Sequence, residues 1–170
     1  MSVPDIEAFA HDFRTVIEPC WGSDTGSCSA ELFPEGYEIP PSGGQCVATS
    51  GLLLDELRDA FPDERFRLTT GAVYLGRMAV LSHHSYVTHH PVFGRSPTVI
   101  DITADQAPKI TDRVVYGDML ELAARGVIYL AFNQYEEVPA KICEDAPPVT
   151  PANARIAILR QRIGDWRKAT

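Results

Sequence analysis

The sequence predicts an α+β fold in which a central helix, carrying a cysteine at its start, packs on an antiparallel β-sheet. Three observations predict it. Residues 40–57, PPSGGQCVATSGLLLDEL, read as a glycine-rich turn running into an apolar helix, because Val47, Ser50, Gly51, Leu54 and Leu57 recur at three- and four-residue intervals. Residues 78–88, MAVLSHHSYVT, and 98–102, TVIDI, read as two strands joined by a loop containing Gly94 and Pro97. Cysteine, histidine and aspartate therefore follow one another at a helix start, in a strand and near a strand end.

The other elements follow in chain order. Residues 5–16 place Ile6, Phe9, Phe13 and Val16 on one helical face, with Ser2 or Asp5 as the cap and Pro19 as the stop. From 19 to 44 the chain turns to Gly, Ser, Pro and Thr around Trp21, Phe33 and Tyr37, which predicts a long ordered loop across the front of the cysteine. The cysteine helix should end near Ala60, before Phe61-Pro62. Residues 66–68 and 72–75 read as two short strands, and in 78–88 His84 shares a face with Tyr86 while His83 shares the other with Ser85. Asp105, Gln106, Ala107 and Pro108 close a turn, 116–125 reads as a helix, and 127–132, VIYLAF, as an apolar strand. A proline-rich stretch, 138–151, precedes a last amphipathic helix over 151–166, striped by Ile156, Leu159 and Ile163.

Composition bounds the function. A chain of 170 residues suits one domain, spanning 1–170, and 45% hydrophobic with 22% charged residues is ordinary globular material. A formal charge of −8 with no basic cluster argues against nucleic acid and anionic membranes, leaving a protein, peptide or small amide as the expected substrate. No basic start with a long apolar run follows Met1, so a cytoplasmic protein, or one exported without a Sec signal, is expected. Cys20, Cys28, Cys46 and Cys143 lack the close pairs of a zinc site, and reduced thiols are expected, with a Cys20–Cys28 bridge as the alternative outside the cell. Neither a metal nor a cofactor is expected.

Cys46 is the candidate nucleophile. A thiol in the first turn of a helix sits at the positive end of the dipole, where free N–H groups stabilise a thiolate and a developing oxyanion. His84 is the candidate base, with His83 as the alternative register. Asp101 is the candidate orienting carboxylate, or else a cap for the turn at Thr103. Gln45, Trp21 and Gln106 are candidates for oxyanion or substrate contacts.

The set Trp21…Thr25, P-x-x-G-Q-C at 41–46, S-H in a strand and I-D-I-T-A-D-Q at 100–106 resembles the small bacterial YunG-like proteins, which show W…T, G-Q-C, H-Y-W and D-L-T-x-x-Q-F at similar positions. The resemblance covers residues 21–106. It implies a papain-like, NlpC/P60-like or transglutaminase-like core, whose aromatic follows the histidine; here H-H-S-Y leaves both His83 and His84 open. A looser similarity, through Gly43-Gly44-Gln45-Cys46, runs to arylamine N-acetyltransferases, which are longer and carry a third domain. The implied activity is thiol-dependent amide or acyl hydrolysis or acyl transfer through an acyl-enzyme, as in a peptidase, glutamine deamidase or transglutaminase. The alternative is a non-catalytic protein-binding module on the same fold.

Overall fold

The computed structural model describes residues 5–26, 38–91, 96–107, 109–139 and 151–169. Helix α1 (Ile6–Ile17) starts where the Asp5 carboxylate accepts from Ala8 N–H at 2.9 Å. It passes into one 3-10 turn through Pro19 before Trp21. Helix α2 (Cys46–Ala60) is buried on every side along its first nine residues, since it lies between the sheet and α4 (Ala152–Ala169). Gly51 makes that approach possible: a Cβ there would stand 2.7 Å from Ile156 Cδ1 and 2.9 Å from Val138 Cγ2.

The sheet is antiparallel throughout, in the order β4-β3-β2-β1-β5. Its strands are β1 (Phe66–Leu75), β2 (Met78–His89), β3 (Thr98–Asp101), β4 (Val115–Asp118) and β5 (Val127–Tyr135). One face packs Phe66, Leu68, Val87 and Ile100 against α1, α2 and α4. The other carries a second core of Val73, Tyr86, Val99, Val115 and Tyr129, with Leu122 from α3 (Met119–Ala124).

Three readings of the sequence are corrected. The two short strands expected at 66–68 and 72–75 are one strand, because Gly71 continues the chain where β5 bulges against it. The helix expected over 116–125 begins only at Met119: Asp118 caps Leu120 N–H and Glu121 N–H, and Val115–Asp118 pairs with β3 instead. The strand expected over 127–132 runs on to Tyr135. Much of the loop expected over 19–44, including Cys28, Phe33 and Tyr37, and also Ser2 and Cys143, lies outside the described residues. No helix among the described residues is long and apolar enough to cross a membrane.

Two glycines test this packing. At Gly71 a Cβ would fall 1.9 Å from the Leu130 carbonyl oxygen, backbone that cannot rotate aside. Gly71→Ala should therefore cost about 3 kcal/mol or more in urea unfolding. Gly164, inside α4 with nothing within 4 Å of its Cβ position, should instead gain roughly 0.5–1 kcal/mol on substitution by alanine.

Candidate functional site

The site forms at a step in the sheet. Pairing of β2 with β3 runs from His89–Thr98 to Val87–Ile100 and stops there, so Ser85 has no β3 partner. The start of α2 fills the gap. Ser50 Oγ donates to the Ser85 carbonyl at 2.9 Å, and the Ser85 N–H donates to the Cys46 sulfur. Backbone groups that a continuing strand would satisfy thus hold the first turn of α2 in place.

Cys46 meets His84 through a side-chain hydrogen bond. His84 extends from β2 onto the face of Tyr86, whose ring stacks at 6.0 Å from the imidazole. Extending the β2–β3 register puts Asp101 opposite Tyr86 and diagonal to His84 on that same face. The His84 Nε2–H donates to Asp101 Oδ2 at 2.7 Å, with both side chains wholly buried. Tyr129 donates its hydroxyl to the same oxygen at 2.8 Å, while the other oxygen accepts from Thr103 N–H at 2.9 Å and Thr103 Oγ at 3.2 Å. Asp101 is therefore both the imidazole's partner and the cap of the Thr103 turn.

Burial by itself would hold Cys46 as a neutral thiol. The hydrogen bond and charge of His84, with the Ser85 N–H, outweigh it and bring the thiol below its ordinary value. Burial would likewise discharge His84, but the charge and hydrogen bond of Asp101, then those of Cys46, push it up to about 10. For Asp101 burial is again opposed, chiefly by the charge and hydrogen bond of His84, and the carboxyl lies below its usual range. Each of the three groups is thus moved toward its charged form, the thiol and the carboxyl downward and the imidazole upward.

His83 is exposed, one residue and one face away from this cluster. His83, His84, His89 and His90 do not converge: His89 pairs with Glu64 at 2.7 Å and His90 contacts Thr88 Oγ at 3.0 Å. Gln106 does reach the site, with its Nε2 2.9 Å from His84 Nδ1. Gln45 turns the other way, taking a hydrogen bond from Thr25 Oγ at 2.8 Å and giving one to the Gly22 carbonyl at 3.1 Å. Trp21 spends its indole N–H on Thr49 Oγ at 2.9 Å. Neither side chain is a donor toward Cys46; both line an open cleft of about 330 Å³ with Gly22, Gly26, Pro41 and Gly43. Cys20 is a buried thiol bonded to the Val16 carbonyl.

Two residues of the site were passed over in the sequence. Tyr129 sits inside a run read simply as an apolar strand; a tyrosine among aliphatics was the signal, since a buried hydroxyl needs a partner. Arg14, 2% exposed, holds the Asp105 carboxylate with two contacts of 3.0 and 2.8 Å, binds the Ile102 carbonyl and lies over the Trp21 ring at 4.5 Å. It fixes the turn that carries Gln106. Its position within the stripe Ile6, Ala10, Phe13, Ile17 marked it as inward-facing.

No family model, curated protein or solved structure matches the chain in comparison with known proteins.

The coupling of sulfur and imidazole is measurable without a substrate. His84→Ala removes the largest influences that lower the Cys46 thiol and leaves burial, which raises it. The pH at which Cys46 becomes reactive toward iodoacetamide, followed by mass spectrometry, should lie below the ordinary thiol value of about 8.5 in the native chain and above it in His84→Ala. An unchanged midpoint would show that the two groups titrate independently.

Proposed function

We propose that the chain is a thiol-dependent amide or acyl hydrolase, or acyltransferase, with a papain-like or transglutaminase-like core. The observation that carries this reading is the buried Cys46–His84–Asp101 relay, in which each group moves the next toward the charge state that nucleophilic attack requires. In this mechanism the Cys46 thiolate adds to a carbonyl carbon and the first-turn N–H groups of α2 face the resulting oxyanion. His84 then gives its Nδ1 proton to the leaving amine or alcohol, and the carbonyl collapses to an acyl-enzyme. Water or an acceptor amine attacks next, His84 takes its proton, and the thiolate is regenerated. Asp101 keeps Nε2 protonated and so keeps Nδ1 turned to sulfur.

A second reading is a protein-binding module that keeps the relay as a buried polar network, favoured by the 5% exposure of Cys46. Mild-acid alkylation separates the two, because a substrate-accessible thiolate reacts where a sealed structural thiol does not.

Turnover of a p-nitrophenyl ester, with mass spectrometric detection of the acyl group on Cys46, tests the enzyme reading directly. Cys46→Ser should abolish turnover, and Asp101→Asn should lower it by orders of magnitude, up to about 10⁴-fold, with the fold retained. His83→Ala should keep most of the activity. Full turnover in Cys46→Ser, or a rate in Asp101→Asn within about threefold of the native chain, would defeat the mechanism.

A further inference from the structure

Two of the groups that orient the surroundings of His84 have one allowed role each, the Gly44 N–H as donor and the Asp101 carboxylate as acceptor. The Gly44 backbone N–H can only donate, and it donates to Gln106 Oε1 at 3.3 Å. That bond turns the NH₂ end of the amide toward the imidazole, where it lies 2.9 Å from Nδ1 and 3.4 Å from Thr103 Oγ. On the opposite side of the ring the Asp101 carboxylate can only accept, so Nε2 carries a proton. While the nitrogen facing Gln106 accepts from the amide it offers its lone pair, and the ring in that state is neutral. Gln106 is 3% exposed and belongs to the turn that Arg14 anchors through Asp105, so the amide is shielded from bulk solvent and little freedom remains to turn it.

The titratable groups facing His84 all press the other way or stay neutral. Asp101 at the end of β3 and Cys46 from α2 both favour the charged ring. Tyr86 on β2 and Tyr129 from β5 have hydroxyls held above their ordinary range, first by burial and then by Asp101, and carry no charge. Apart from burial, the Gln106 amide is the one partner among the described residues that favours the neutral ring.

We infer that Gln106 is a positioning residue for His84: its amide, anchored on Gly44, holds the ring as the Nε2–H form with Nδ1 toward the sulfur, and gives up its bond to Nδ1 when that nitrogen takes the Cys46 proton. In the transfer the S–H bond breaks, its electron pair stays on sulfur, and the Nδ1 lone pair forms the new N–H bond. The amide N–H, which cannot share Nδ1 with a second proton, is released beside the thiolate. Gln106 thus opposes premature charging of His84 while fixing its orientation. Its importance in catalysis rests on the thiol-enzyme reading above, but its effect on the ring does not.

The test is a pH titration of His84 by nitrogen-15-resolved NMR, in the full chain and in a Cys46→Ala chain, where loss of the thiolate brings the titration to lower pH. Gln106→Met keeps the length of the side chain and removes the donor. In the Cys46→Ala background it should raise the His84 midpoint by roughly half a unit to one unit, the worth of one hydrogen bond to the neutral form. In the unsubstituted chain the neutral ring should carry its proton on Nε2. A midpoint that stays put or falls in Gln106→Met overturns the inference, and so does a neutral ring protonated on Nδ1. Should Gln106→Met fail to fold, Gln106→Leu in the Cys46→Ala background repeats the measurement, with the same rise expected and the absence of a rise overturning the inference. Ester turnover enters neither measurement, so failure of the enzyme reading and failure of this inference are separately visible.

Discussion

Asp101 is the constraint on which the rest of the site depends. A carboxylate with no solvent exposure is tolerable only if its lone pairs are taken up, and here four donors do so: the His84 ring, the Tyr129 hydroxyl, and the Thr103 N–H and hydroxyl. Those donors come from β2, β5 and the turn after β3. Satisfying one charge therefore fixes the relation of the sheet's middle to its edge and defines which imidazole nitrogen is left for sulfur.

The second constraint is the early end of β3. Had β3 continued alongside β2, the Ser85 backbone groups would have been part of the ladder and α2 could not have reached the histidine's edge. Instead Ser50 and Cys46 take over those groups, so the nucleophile's position is set by the same hydrogen bonds that close the sheet. Gly71 stands directly across β2 from His84 in the register, at the point where β5 bulges. This irregularity of the sheet and the site are the same place, as is common where a strand must re-aim a side chain.

Arg14 connects this arrangement to the helical layer. A buried guanidinium is costly unless its fork is filled, and Asp105, Glu18 and the carbonyls of Ile102 and Arg113 fill it, with the Trp21 ring beneath. Through Asp105 it steadies Gln106, and through Trp21 it reaches Thr49 of α2. Helix α1, which contributes nothing to the chemistry directly, thus braces both walls of the site.

The sequence by itself determined the elements whose signals are local. The start of α2 at Cys46 and its end at Ala60 follow from a glycine-rich turn, an apolar period and the Phe61-Pro62 stop; the β2–β3 meander follows from alternation, which also put His84 and Tyr86 on one face. Only the tertiary structure decided what depends on register and depth. Whether His83 or His84 turns inward is a matter of which face of β2 meets β3 and the start of α2, and both sequences of alternation are equally regular until that neighbour is in place. Asp101's partner Tyr129 lies on a strand three positions away across the sheet, and Arg14's partner Asp105 is distant in sequence, so neither pairing has a local signature. The reach of Gln106 and the turning away of Gln45 have the same origin: amide side chains follow the donors and acceptors around them, and those are set by the packed chain and not by their neighbours in sequence.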